Sequence, residues 1–435
     1  MVTSDTPAPF HLESYYTPTL PEGGDRLTVI TEVDAAQSGL VSAPQQRVLI
    51  FIIDKSGSMS DAPIEAVKAA VLKGIDLLDP SSIFGVVAFD ESASVVVSPR
   101  PATPNSKAEA HTALRWLRGA GGTAFSTGLG LARSLFMAYP DAIRRGIFLT
   151  DGNNETERPG AFAPVLDACV GVFECDCWGL GTHWTVGEVM EVARRLNGKA
   201  SLIPGPNEVE AAFRAAVEKA AAKAVANVRL RLWSPQGTQV TLLKQMNPTI
   251  EDLTDKGARI SPQVVEYPIG SWAPGESRDY QIDVAVPAGA VGEEMLAVRP
   301  SIVYVQGSQE QEIRSPQGRV VITWTTDEAL SSRINPRVAH YTGQEELAQA
   351  IQGGLEARER GDEDTATRLL GTAVRLAAES DNEEMTARLK KVVDVEDAAT
   401  GTVRLKRGVD KAATMDLELE STTTKRAARR PVPNP

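Results

Sequence analysis

Cysteine is scarce. Cys169, Cys175 and Cys177 are the whole set in 435 residues, too few and too close together for a disulfide framework, which excludes a small disulfide-stapled secreted scaffold. Histidine is almost as rare, with His11, His111, His183 and His340 alone. No apolar run approaches the roughly 20 residues that a membrane-spanning helix needs. Met1 to Phe10 has neither the basic start nor the apolar core of a secretory signal, so the expectation is a cytoplasmic protein. Basic residues are outnumbered, 45 Lys and Arg against 57 Asp and Glu for a net charge of −12. That balance argues against nonspecific nucleic-acid binding by the whole molecule.

What the chain does have is Val48-Leu49-Ile50-Phe51-Ile52-Ile53-Asp54-Lys55-Ser56-Gly57-Ser58. Six apolar residues in succession suit a strand covered on both faces of a parallel sheet, and such sheets gather ligands at the carboxyl ends of their strands. Asp54 stands at that end. The alternation Asp-x-Ser-x-Ser, with Gly57 freeing the turn, aims Asp54, Ser56 and Ser58 at one point, and all three offer the oxygen that a hard cation such as Mg²⁺ selects. Taken alone the pattern is weak, because Asp and Ser at a strand-to-helix turn often only cap the helix. Two further pieces join it: Gly121-Gly122-Thr123 ahead of a helical segment, and a second apolar strand, Arg145 to Thr150, ending on Asp151.

Together these residues resemble the metal-ion-dependent adhesion site of von Willebrand factor A (VWA) domains. Carried over position by position, the resemblance implies a metal shell of Asp54, Ser56, Ser58, Thr123 and Asp151, with no member missing, and covers roughly residues 47–224. It implies Mg²⁺ as the cofactor, with Mn²⁺ or Ca²⁺ as substitutes, and a partner protein that offers a Glu or Asp carboxylate to the metal. The chain is similar to bacterial cytosolic VWA proteins linked to Ser/Thr phosphorylation, which implies a signalling scaffold or adaptor. The alternative is an accessory subunit of a chelatase-like AAA⁺ ATPase of the MoxR type.

Enzyme readings fare less well. No histidine lies beside the Asp54 loop in sequence, and the Gly-x-Ser-x-Gly elbow is absent. The glycine-rich Gly119 to Thr123 lacks the Gly-Lys-Ser/Thr ending of a phosphate loop. An aspartate-nucleophile phosphohydrolase is conceivable at Asp54, but such enzymes resemble Asp-x-Asp, and here the second position is Ser56. The expectation is a protein that is not an enzyme.

Along the chain the patterning divides into five stretches. Residues 1–45 hold a strand at Arg26 to Val33. Residues 46–224 alternate strand-like and helix-like segments in the manner of a Rossmann-like, doubly wound α/β domain. Asp61 is a candidate cap for a helix carrying Ile64, Val67, Val71, Ile75 and Leu78 on one face. Cys175 and Cys177 fall on one side of a strand and read as buried apolar residues. Trp184, near the rim of the candidate site, reads equally as a partner contact or as packing. Residues 225–325 alternate in short runs between Pro and Gly turns, the pattern of a β-sandwich. Because the N-terminal strand needs partners, the expected fold is a VWA domain inserted in that sandwich, a multidomain α/β plus β plus α chain. Residues 326–398 turn to helical periodicity, with Gly361-Asp362 as a turn, and read as a C-terminal helical bundle.

Residues 399–435 read as a flexible basic tail containing Thr and Pro. From Gly401 onward, eight basic residues face four acidic ones. Within that tail, Thr422, Thr423 and Thr424 stand between acidic and basic neighbours. They are candidate phosphorylation sites for a Ser/Thr kinase, with a phosphothreonine-reading domain such as a forkhead-associated domain as the partner.

Overall fold

The apolar run before Asp54 forms the strand Arg47–Asp54, buried along its length after Arg47. In the computed structural model, which describes residues 8–37, 46–205, 207–306 and 309–427, this strand lies inside a six-stranded sheet. The spatial order is Ala93–Pro101, Ile83–Phe89, Arg47–Asp54, Ile143–Thr150, Glu174–Leu180 and Ala200–Ile203. All neighbours are parallel except the antiparallel edge Ala93–Pro101. Alternation along the central strand sends Leu49, Phe51 and Ile53 to one apolar layer and Val48, Ile50 and Ile52 to the other. The first layer is roofed by Ala62–Leu77, Pro104–Leu114 and Val209–Ala222, the second by Phe125–Phe136, Phe162–Cys169 and Val186–Arg195. A sheet covered on both faces explains why its strands are continuously apolar rather than alternating.

The helix Ala62–Leu77 buries Ile64, Val67, Val71 and Ile75 as its periodicity requires. Asp61 occupies the N-cap position but makes no side-chain capping bond, because the backbone turns there at φ 62°. Phe162–Cys169 has no counterpart in the sequence reading: it is only eight residues long and follows Pro159-Gly160, which read as loop. All three cysteines are free and buried.

Two further sheets, antiparallel except where Thr19–Pro21 runs parallel to Val320–Thr325, share a single apolar core in which Phe10, Trp272, Tyr280 and Trp324 are fully buried. Strands from both sides of the α/β region build them. Arg26–Ala35 pairs along its length with Ser277–Ala285, from Arg26 opposite Ala285 to Asp34 opposite Ser277. Phe10–Tyr15 pairs on the other side of Arg26–Ala35. Polar bridges attach the α/β sheet to these strands. Arg145 pairs with Glu174 and Asp176, each at 2.6 Å, and Glu174 in turn accepts a 2.8 Å bond from the Ser271 hydroxyl. Lys223, at the end of the last α/β helix, pairs with Glu276 at 2.6 Å.

Pro336–Glu359, Glu363–Glu379 and Glu383–Val392 form a helical layer with its own apolar cluster. Gly361, at φ 76°, makes the expected turn, and Asp362 caps the following helix through Thr365 N–H at 3.1 Å.

The tail departs from expectation. A hairpin, Val393–Asp397 with Thr402–Leu405, is followed by the helix Lys411–Glu420. On that helix Met415 and Leu419, one turn apart, join the α/β core, while Leu417 joins the helical cluster. Beyond it, the Thr422 carbonyl accepts from Ile250 N–H at 2.8 Å, and Thr424 N–H donates to Pro248 O at 3.0 Å. The Thr424 hydroxyl is buried and donates to Met246 O at 2.5 Å. Thr423 bonds Glu420 at 2.9 Å. The segment carrying these threonines is therefore docked rather than a flexible tail, and a kinase would have to peel it away to reach Thr424. The reason is packing against two bodies at once, which leaves a helix without one continuous apolar face in its sequence. Arg429, Arg430 and the prolines of the basic run lie outside the described residues.

Arg426 completes the attachment. Its guanidinium reaches Asp279 at 2.9 Å, Asp34 at 2.7 Å and Glu32 at 3.4 Å, and the Asp279 and Glu32 side chains are fully buried. Arg337 shares Glu32 at 3.1 Å. Removing one member of a buried ion pair strands the other charges at a cost of about 3–5 kcal/mol. Arg426→Ala should accordingly lower stability by about 3 kcal/mol, since Arg337 still serves Glu32. A urea midpoint within error of wild type would contradict this account.

Candidate metal site

Asp54 and Asp151 end or follow neighbouring strands, Arg47–Asp54 and Ile143–Thr150. These are the two strands between which the order reverses, since one connection runs outward on each side. Crevices at such a switch point, outside the carboxyl ends of the strands, are where doubly wound sheets hold ligands. All five expected oxygens come to this crevice. Asp54 is fully buried. Its Oδ1 accepts from Ser56 N–H at 2.8 Å and its Oδ2 from the Thr150 hydroxyl at 2.5 Å. The Ser56 and Ser58 hydroxyls lie 3.1 Å apart, and Ser58 donates to Asp151 Oδ1 at 2.6 Å. A Cβ built on Gly152 would sit 3.5 Å from both the Ser58 and Thr123 hydroxyl oxygens. Thr123 is therefore beside the others, although 93 positions separate Ser58 from Asp151 in sequence.

Backbone bonds lock the three loops to one another. Lys55 N–H donates to Phe89 O at 2.8 Å, Ala120 N–H to Lys55 O at 2.6 Å, and Gly57 N–H to Gly121 O at 2.8 Å. Lys55 also pairs through its ammonium with Asp90. Sequence reasoning missed several supports. Thr150 fixes Asp54, and its hydroxyl was legible only as the residue before Asp151. Asp90 O accepts from Ala124 N–H at 3.1 Å and Glu91 from Gly122 N–H at 3.2 Å, so the end of Ile83–Phe89 carries the Thr123 loop. Asn154 and Glu157 take the first amides of Phe125–Phe136, at 2.8 Å and 2.9 Å. Trp184 is buried, donates to Gly181 O at 2.9 Å and fills the space over Gly179, so packing accounts for it. His183 is exposed and close enough to Asp151 to oppose, weakly, the rise that burial gives its carboxyl.

The electrostatics fit a hard cation. Burial pushes the Asp54 carboxyl up to about 6, against the opposing bonds from Thr150 and Ser56. Burial also raises Asp151, against the bond from Ser58. Two desolvated carboxylates with only neutral hydroxyls and backbone amides as hydrogen-bond donors are a site short of positive charge. Among the described residues no three His, Cys, Asp or Glu side chains gather into a softer metal centre. The donor set is thus oxygen alone, the chemistry that suits Mg²⁺, Mn²⁺ or Ca²⁺.

Comparison with known proteins agrees with this geometry. The family model for the von Willebrand factor type A domain matches residues 49–153, and that for the von Willebrand factor type A C-terminal domain matches residues 375–421. A solved structure described as von Willebrand factor type A from Catenulispora acidiphila is 38% identical, with a TM-score of 0.89 over 98% of this chain and 99% of that one. The chain belongs to the von Willebrand factor type A family. The VWA fold is that of a general protein-interaction module. The ArnB paralog VWA2 from Sulfolobus acidocaldarius shares the fold at 15% identity, with a TM-score of 0.62 over 95% of this chain and 98% of that one. A Synechocystis protein is 29% identical over 216 residues, 47% of this chain and 50% of its own length. This VWA chain thus spans about half of that curated relative. Among the described residues no helix is long and apolar enough to cross a membrane.

The raised Asp54 carboxyl has a measurable consequence in metal-free protein. Between its ordinary 3.8 and about 6, the native state retains a proton that the unfolded state releases. Stability should fall as pH rises through that window, by about 3 kcal/mol in total, and flatten above it. Asp54→Asn should remove this part of the slope in chelator-containing buffer. An unchanged slope in the variant would show that Asp54 titrates normally.

Proposed function

We propose that this protein is a Mg²⁺-dependent protein-binding module that captures a partner's Glu or Asp side chain at an intact metal-ion-dependent adhesion site. Asp54, Ser56, Ser58, Thr123 and Asp151 hold the ion. The observation that carries the reading is the pair of desolvated carboxylates at the switch point, ringed by hydroxyls and lacking a cation of their own. A divalent cation held by two carboxylates and neutral hydroxyls supplies an electrophilic position for a carboxylate oxygen from outside the chain. The chain's own part is positional: Thr150 and Ser56 N–H orient Asp54, and Ser58 orients Asp151.

The two mainly antiparallel sheets, on this reading, are one sandwich interrupted by the VWA domain, and the helical layer braces both. The cellular role that fits is a cytoplasmic, non-enzymatic scaffold or adaptor in bacterial signalling. Phosphorylation at Thr422, Thr423 or Thr424 then requires release of the docked C-terminal segment first.

Mg²⁺ should stabilise the wild type by about 2.7 kcal/mol at a hundredfold excess over its Kd. That gain should vanish in Asp54→Asn and Asp151→Asn and shrink in Thr123→Ala, whose metal-free melting should change little. Affinity capture from the source lysate should retain a protein set in Mg²⁺ that chelator and Asp54→Asn both release. Equal melting shifts in wild type and Asp54→Asn would overturn the metal assignment; identical captured sets would overturn the metal bridge.

A further inference from the structure

The largest exposed apolar side chain among the described residues is Trp116, 74% accessible. It stands in the turn after Pro104–Leu114, flanked by Arg115 and Arg118, both exposed, while Leu117 turns inward to the core. The turn is rigid. Trp116 N–H donates to Ala113 O at 3.2 Å and Leu117 N–H to Leu114 O at 3.1 Å. The buried Lys68 ammonium holds the Arg115 and Leu117 carbonyls from beneath, each at 3.4 Å. Arg118 closes over the same carbonyls at 2.7 Å and 2.9 Å. Among the described residues neither Arg115 nor Arg118 has an acidic ion-pair partner, whereas Glu65 on the adjoining helix is already taken by Lys68 at 2.8 Å.

This turn runs directly into the metal loops. Gly119 packs so closely on Ser60 that a Cβ there would lie 2.7 Å from Ser60 N. The Ser60 hydroxyl donates to Gly119 O at 3.2 Å. Trp116 is three residues from Gly119, at most about 11 Å of extended chain. From Ser58 through Ser60 and Gly119 to Trp116 the path is at most roughly 23 Å, a span that about seven residues of an extended partner segment cover.

We infer that Arg115, Trp116 and Arg118 form the second half of the partner-docking surface, and that the partner is an acidic protein segment. On this assignment, which rests on the metal-site reading above, an apolar side chain near the metal-bound carboxylate packs on Trp116, and further carboxylates meet the two guanidinium groups. Charge selects this occupant: two guanidinium groups without a carboxylate partner among the described residues stand on a protein of net charge −12, and they draw acidic rather than basic segments. Aromatic and Arg side chains held on rigid backbone are also the usual binding hot spots, because little freedom is lost when they are covered.

The test is selection of a displayed library of random peptides on the full-length wild type in Mg²⁺, followed by affinity measurement of the enriched peptides. The expected consensus carries several Asp or Glu and at least one Leu, Phe or Trp. Trp116→Ala should weaken those peptides about 30-fold, and the double variant Arg115→Glu, Arg118→Glu about tenfold or more with loss of salt dependence. Melting should stay unchanged in Trp116→Ala, whose side chain holds nothing in place. Peptides that lose binding in Asp54→Asn yet bind Trp116→Ala and the arginine variant normally would overturn the docking surface and leave the metal site standing. Loss in Trp116→Ala with none in Asp54→Asn would do the reverse. Enrichment without acidic residues would overturn the assignment of the partner.

Discussion

The pairing of Arg26–Ala35 with Ser277–Ala285 is the constraint on which the rest of the molecule depends. It joins positions as far apart as Asp34 and Ser277, 243 residues in sequence, and between them lies the whole α/β unit. Closing so long a loop is less costly than intuition suggests, since each doubling of length adds only about 0.6 kcal/mol. The chemistry of the ladder is the harder problem. Glu32 stands directly opposite Asp279, and opposite Glu13 on its other side. Like charges across a strand pair repel, and Glu32 and Asp279 are also removed from water. Arg426 and Arg337, with the Tyr341 hydroxyl on Asp279, answer that charge. The last described segment of the chain thus secures a ladder made largely by the first.

The same logic of incomplete compensation, inverted, describes the switch point. At the ladder, buried carboxylates are matched by guanidinium groups from the chain itself. At Asp54 and Asp151 the hydrogen bonds come from hydroxyls and backbone amides alone. Lys55, the cation nearest in sequence, is turned away to Asp90. Two buried acidic clusters in one molecule therefore differ in whether the chain itself bonds the carboxylates with guanidinium groups.

Much of this was legible before the structure. Six consecutive apolar residues ending on Asp54 forecast a strand covered on both faces, and Asp54, Ser56, Ser58, Thr123 and Asp151 do converge on one crevice. Face assignments on Ala62–Leu77 followed from spacing alone. What escaped notice shares a physical cause: residues whose role is set by distant partners. Met415, Leu417 and Leu419 fell in a stretch read as flexible tail, because they serve two cores on opposite sides of one helix and so make no continuous apolar face. Arg426 read as part of a solvated basic run because its carboxylates come from strands hundreds of residues earlier. Thr150 was overshadowed by its neighbour Asp151, and Asp90 lay in a turn whose hub-like bonding is invisible to periodicity.

The margins of the six-stranded sheet bear on how this protein meets others. On one side the outermost strand, Ala93–Pro101, runs against its neighbour's direction and finishes Ser98-Pro99-Arg100-Pro101, so its outer row of amide donors is broken by two imino nitrogens and guarded by a charge. On the other side the short strand Ala200–Ile203 is covered by Lys411–Glu420, pinned by the Lys199 and Glu420 pair at 2.8 Å. Both devices disfavour recognition by extending the sheet, a common route for peptide capture.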